Sequence, residues 1–362
     1  MGGTGEQLAT GQSVSGFAAG DTLILDGFSA SSYQFNYGVL TLSNAEHTAR
    51  LDISGNFAGL TITNVTQGAE IETAVCYLRG TPILTPDGER AIQDLRIGDT
   101  VVTRLGGVRR IKWIGEQRFA GRFIGNNDEM LPVCIKAGAI EHGRPSRDLF
   151  VSPGHSLLLG EILVLAKSLV NGITIVQGPV VDEVHYLNIE LETHDCVLAA
   201  GIWAECYAEC VFTRTKFHNA VDFFRRHPGH IAPPEPVLCA ARPLEGPMLA
   251  EALAPVVARA SALTKPGPLR GYVDILTSEG RIEGWAQDTA NPELPVWLDV
   301  LHNGIVMAQL LACDSRADLR GAGIGSGRHA FRANLPPFTG AVAVRGTSGG
   351  GLLTRSEIRS VA

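Results

Sequence analysis

No stretch of the chain runs to about 18 apolar residues, so no membrane-spanning helix is expected. The opening MGGTGEQLATGQS has neither a basic nor an apolar stretch, so it is not read as a secretory signal peptide. Positive charge is also short. Lysine is scarce, most basic residues are arginine, and the formal net charge is −7. That balance argues against nucleic acid or an anionic membrane surface as the main partner. The 7 cysteines are odd in number and scattered from Cys76 to Cys313, which excludes a simple disulfide framework and leaves at least one thiol free. No Cys-x-x-Cys pair occurs. His194, Cys196, Cys206 and Cys210 lie near one another, but their spacing matches no usual zinc knuckle, so neither metal nor cofactor is expected.

What the chain does have is a globular composition, with 45% hydrophobic and 19% charged residues. Its 362 residues suffice for two or three domains. Short alternating segments broken by Gly, Asn and Ser predict mostly β-structure. Residues 1–75 carry DTLILDGF, YQFNYGVLTLS, ARLDISGNF and LTITNV. These phrases resemble the repeats of bacterial surface adhesins, which implies a short β-solenoid-like segment. Residues 76–212 form a second β-rich block with candidate strands RIKWIG, LPVCIKA, LFVSPGHSLLL and HYLNIELE. Residues 213–268 change character. A short helix is predicted near 217–226, then a Pro-rich connector, then a helix over 247–263 kinked by Pro255, and the whole reads as a linker. Its RTKFHNAVDFFRR stretch reads as a solvated cationic face. Residues 269–362 return to strands about every ten residues, which predicts a small C-terminal β-sandwich. GYVD, EGWAQD and RADLRGAGIGSGRHAF there resemble a module appended to bacterial surface and carbohydrate-related proteins. Trp285 and Trp297 would stack on sugar if exposed, but a Trp in such a sandwich is more often core. A secreted or cell-surface location is implied by these two resemblances alone.

The chemistry concentrates in the second block. Its three phrases are CYLRGTPILTPDGERAIQDLRIGDTVVT, RDLFVSPGHSLLL and VHYLNIELETHDCVLAAGIWAECY. Taken in order, they resemble the Hint domain, the hedgehog/intein autoprocessing fold, in its bacterial branch. The resemblance implies an all-β horseshoe-like domain over residues 76–212. Cys76 opens it, so its thiol is one side-chain length from the preceding carbonyl. Attack on the Val75–Cys76 peptide bond would move the acyl group from nitrogen to sulfur and leave a thioester. Being intramolecular, the step exploits a high effective molarity. The amide nitrogen must be protonated to leave, and histidine is the usual donor near neutral pH. The resemblance gives that role to His155, hydrogen-bonded to the Cys76 nitrogen, with Ser152 holding the scissile peptide distorted. It assigns His194 to breakdown of the tetrahedral intermediate. Asp195 would activate the Cys76 thiol or orient a histidine.

Taken singly, each residue has a plainer reading. Cys76 would be a small buried apolar group, His155 and His194 structural histidines, Ser152 a turn residue and Asp195 a surface carboxylate. The order of the three phrases favours chemistry. One departure matters. Splicing relatives end in His-Asn before a downstream nucleophile, and this chain has Ala204 and Glu205 before Cys206. Glutamate lacks the amide nitrogen for that cyclisation. The expectation is therefore cleavage without protein splicing, with the chain's own residues 1–75 as substrate and water or an external nucleophile resolving the thioester. Val75 is β-branched and crowds its carbonyl, so processing is expected to be slow. The competing reading is a non-reactive surface protein with a Hint-shaped spacer. A cysteine hydrolase acting on other molecules would need an open cleft and is a distant third.

Overall fold

The computed structural model describes residues 75–120, 130–178, 183–211, 213–348 and 351–355, together with the backbone of six strands upstream of them. It is mainly β, as expected. Among the upstream strands, Ser32–Asn36, Val39–Ser43 and Thr48–Ser54 pair antiparallel, and Gln12–Ser15 adds parallel to Thr48–Ser54. Among the described upstream strands, that last pair is the parallel one; apart from its strands, the segment read as solenoid-like lies outside the described residues. Thr63–Val65 and Gly68–Glu70 form a separate hairpin.

The second block is built from two sheets. One runs Gly107–Arg110, Thr100–Thr103, Cys196–Ala199, Ile202–Glu205, Ser156–Leu159 and Ile162–Leu165, with the hairpin Pro82–Thr85 and Gly88–Ala91 attached at Cys196–Ala199. The other runs Trp113–Ala120, Glu183–Glu190, Tyr77–Leu78, Leu149–Val151, Val133–Ile135 and Ile175–Gln177. Period-two patterning makes the outer strands. Pro82–Thr85 and Thr100–Thr103 both alternate between half-buried and buried residues. Central strands are more fully buried, and SLLL at Ser156–Leu159 is buried at every position. Both sheets contribute to one core, which includes Tyr77, Ile83, Val101, Val151, Leu157, Val164, Ile189 and Val197.

The register of one short strand positions the site. Tyr77 pairs with Leu187 on one side and with Val151 on the other. One residue earlier, Cys76 therefore lies between Asn188 and Ser152. Three stretches far apart in sequence meet at one peptide because this two-residue strand is held on both edges.

The stretch read as a linker is a packed element. Helix Ala220–Arg226 follows a single 3₁₀ turn at Arg214–Lys216. Arg214 and Lys216, read as solvated cations, are buried. The Arg214 guanidinium bonds Glu190 and Glu209, each at 2.6 Å, and lies 3.3 Å from the Phe223 ring centre. Two carboxylates and a ring face replace its water, and this is why burial is tolerated. Phe217 lies so close to Gly115 that an added Cβ there would sit 2.5 Å from the ring. The second helix, Pro247–Ser261, contains Pro255 as expected. It buries Leu249, Leu253, Val256, Val257 and Ala260, one stripe at helical spacing. These side chains join the core of the second block to Leu294, Leu311 and Cys313 of the C-terminal module.

That module is the expected sandwich. One sheet runs Ala330–Asn334, Arg281–Asp288, Leu269–Leu276 and Thr354–Arg355, and the other Ile305–Ala312, Val296–His302 and Val342–Gly346. Val273, Ile282, Leu298, Val300, Phe331 and Val344 fill the space between them. No helix among the described residues is long and apolar enough to cross a membrane.

Candidate active site

Both polar atoms of the Val75–Cys76 peptide are held by side chains. The Cys76 N–H donates to Ser152 Oγ at 2.8 Å. Asn188 Nδ2 donates to the Val75 carbonyl oxygen at 2.6 Å. The backbone adds a third tie, since Ser152 N–H donates to the Cys76 carbonyl at 2.8 Å. The Asn188 orientation is fixed from behind, because its Oδ1 accepts the Ile189 N–H at 2.8 Å. That leaves the amide NH₂ facing Val75.

The Cys76 side chain is fully buried, with its sulfur 3.7 Å from Gln117 Oε1. Gln117 in turn donates through Nε2 to the Lys216 carbonyl at 2.7 Å. Loss of water pushes the thiol pKa well above the usual cysteine value, and the Lys216 charge offsets only part of this. The resting group is the neutral thiol.

His155 follows Ser152 in the same turn, where its N–H bonds the Ser152 carbonyl at 3.0 Å. Its ring lies edge-on to Tyr77, with centres 4.2 Å apart. The expected hydrogen bond from His155 to the Cys76 nitrogen is absent. Ser152 occupies that N–H, and neither ring nitrogen of His155 has a partner among the described residues. Burial lowers the His155 pKa to about 4; Glu205 pulls it up, while Arg242 and His194 push it down. His155 is thus an unprotonated imidazole at neutral pH, buried beside the residue that follows Cys76.

Glu205 stands at the centre of the charge around His155. One oxygen accepts the Ser156 N–H at 2.7 Å. The other bonds the Arg242 guanidinium and lies 3.5 Å from His194 Nε2. Burial raises its pKa, but His194 and Arg242 outweigh that, so it stays ionised. The Glu205 carbonyl also accepts the Tyr77 hydroxyl at 2.8 Å, which ties the hub to the Cys76 strand. His194 reaches this group and not Cys76. Its Nδ1 accepts the Cys239 N–H at 2.9 Å, so its ring proton sits on Nε2 toward Glu205. Burial lowers the proton affinity of His194, and Cys239 and Glu205 more than reverse that.

Asp195 is not part of the cluster. Its carboxylate accepts the Leu105 N–H at 3.2 Å and the Cys196 N–H at 2.7 Å, and lies 3.6 Å from Arg109. It braces the turn between Thr100–Thr103 and Gly107–Arg110, on the side of Cys196–Ala199 where that hairpin pairs. Cys206, where splicing relatives have a nucleophile, is buried and accepts the Asp195 N–H at 3.2 Å. No group of three His, Cys, Asp or Glu among the described residues is arranged to hold a metal ion.

The structure therefore brings Cys76, Ser152 and His155 together and leaves His194 one step removed, through Glu205. It adds Asn188, Gln117 and Arg242, which the sequence reading missed, and makes Glu205 a partner of His194 and Arg242. Asn188 had one usable signal, an isolated amide within the apolar strand HYLNIE.

Residues 75–211 match the Hint domain family model. Among solved structures, the gp41-1 intein aligns at 13% identity over 36% of this chain and 98% of its own, with a TM-score of 0.27. The MchDnaB-1 intein aligns at 14% identity over 36% and 99%, with a TM-score of 0.27. The bacterial intein-like domain from Clostridium thermocellum aligns at 14% identity over 38% and 100%, with a TM-score of 0.28. A comparison with curated proteins finds no match.

Proposed function

We propose that this protein cleaves its own chain at Val75–Cys76 and releases residues 1–75 without splicing. The observation that carries the reading is the double clamp on that one peptide, Ser152 on its nitrogen side and Asn188 on its carbonyl oxygen. Ordinary strand pairing does not use two buried side chains to hold one peptide next to a thiol.

In this reading the Cys76 sulfur attacks the Val75 carbonyl carbon. The C–S bond forms, and the carbonyl oxygen gains charge that Asn188 Nδ2–H stabilises. Neutral His155 takes the thiol proton and passes it to the Cys76 nitrogen, which leaves as an amine. The C–N bond breaks and a thioester joins Val75 to Cys76. Water or an external nucleophile then cleaves the thioester and regenerates the thiol. Burial, helped by Arg242 and opposed by Glu205, keeps His155 unprotonated. With Glu205 in place of a cyclising asparagine, the bond after the domain stays intact.

One observation favours a second reading, an inert Hint-shaped module. The thiol is fully buried and held protonated. A time course decides between them. Full-length protein is incubated with dithiothreitol beside Cys76→Ala and His155→Ala variants and followed on gels. Slow loss of residues 1–75 from the parent alone supports self-cleavage. Three unchanged chains support the inert module.

A further inference from the structure

The Cys196 and Cys239 sulfurs lie 3.8 Å apart, and neither is used by the chemistry above. A disulfide needs about 2.0 Å between sulfurs, so the pair has a little under 2 Å left to close. The two thiols differ in ways that suit an ordered reaction. Cys196 is fully buried on the strand Cys196–Ala199. Cys239 is part-exposed, on a segment without regular structure.

That segment, residues 238–242, is a strap laid across the domain. Its Cys239 N–H bonds His194 Nδ1 at 2.9 Å. Its Ala241 carbonyl accepts the Leu163 N–H at 2.8 Å. Its Arg242 bonds Glu205. Leu238, Cys239 and Ala240 pack against Leu158, Leu163 and Cys196. The strap is thus fixed by neighbours on both sides of Cys239, so the backbone already holds the pair in place.

We propose that Cys196 and Cys239 are a redox site, closing to a reversible disulfide that fastens the Arg242 strap to the domain. The co-reactant is a low-molecular-weight disulfide. The Cys239 thiolate attacks it, forms a mixed disulfide and expels one small thiolate. The Cys196 thiolate then attacks the Cys239 sulfur and expels the second, and each protein thiol has given up one proton. The two electrons end on the small disulfide, which leaves as two thiols. The Cys196 thiol donates toward the Cys239 sulfur and so lowers the Cys239 pKa, which suits Cys239 to the first attack. The partly open side of the pair is also the side a small disulfide can reach.

The site stands independently of self-cleavage, and a Cys76→Ala chain, which cannot process, tests it alone. That chain is incubated with oxidised glutathione, quenched in acid, and alkylated with a maleimide after denaturation. The expected result is two fewer adducts than in the reduced chain and a peptide linking Cys196 to Cys239. Protease cleavage within 230–242 slows several-fold and recovers after dithiothreitol. Adding Cys239→Ser abolishes both the link and the protection. Cys196 and Cys239 both remaining alkylatable, or a link between any other pair, overturns the proposal.

Discussion

Replacing Asn188 tests the chemistry at the peptide most sharply. Its side chain is fully buried and makes two hydrogen bonds, one to the Val75 oxygen at 2.6 Å and one from the Ile189 N–H at 2.8 Å. If the first bond only tethered the ground state, its loss would loosen the fold and leave the rate alone, because uniform binding does not accelerate chemistry. If it strengthens as charge builds on oxygen, its loss slows the acyl shift about 10²- to 10³-fold, or roughly 3–4 kcal/mol. Asn188→Ala removes both bonds, and the orphaned Ile189 N–H costs about 1–3 kcal/mol of stability. Asn188→Asp retains an acceptor for Ile189 but aims a carboxylate oxygen at Val75, so it should be as slow, with a larger loss of stability from the buried unpaired charge. The assay is fragment release at saturating hydroxylamine, with denaturant melts run alongside. A folded Asn188→Ala or Asn188→Asp protein cleaving within threefold of the parent rate would refute the oxyanion role.

Other perturbations follow from the same contacts. Ser152→Ala leaves the buried Cys76 N–H without its acceptor; it should cost about 1–3 kcal/mol and slow cleavage, while Ser152→Thr retains most of both. Cleavage by neutral His155 on a neutral thiol should be flat from about pH 5 to 9, with no inflection near 6.5. A tenfold rise per pH unit would instead mean direct thiolate attack. His155, at about 4 folded and 6.5 unfolded, has a lowered folded value, so the unfolded chain binds more protons between them. Its contribution is complete above pH 6.5 and is lost toward pH 4, about 3 kcal/mol in all, readable as a falling melting temperature that a His155→Gln variant lacks. Arg242→Met strands the buried Glu205 carboxylate and should destabilise by about 3 kcal/mol, with Glu205→Gln in the same chain restoring part of the loss. Leu253→Ala, in the helix that joins the core of the second block to the sandwich, should cost about 2–5 kcal/mol and lower the melting temperature of both together.

The meeting of Cys76 with Ser152 and His155 was legible in sequence because each is local to a motif. Cys76 opens a phrase, and Ser152 and His155 share one turn, so spacing alone puts them on one surface. Asn188 and Gln117 were not legible. They are single positions in long strands, and only the register of Tyr77–Leu78 against Glu183–Glu190 sets Asn188 beside Cys76. Asp195 failed for the opposite reason. It is adjacent to His194 in sequence, yet neighbouring side chains in extended backbone point to opposite faces, and its own face is the Leu105 turn. Glu205 was read for the chemistry it lacks. Its partner Arg242 lies in a stretch taken for a linker, and neither pattern nor propensity announces that a Pro-rich strap will lie back across a sheet. The sandwich, by contrast, was readable from its strand spacing, since each sheet is built around one antiparallel hairpin, Leu269–Leu276 with Arg281–Asp288 and Val296–His302 with Ile305–Ala312.

The most direct test of the central claim is the mass of the fragment that freshly purified full-length protein releases in hydroxylamine. The account predicts residues 1–75 ending in a hydroxamate on Val75, formed slowly, and no such species from Cys76→Ala. A chain that stays whole in the nucleophile, or a fragment ending anywhere but Val75, would contradict it.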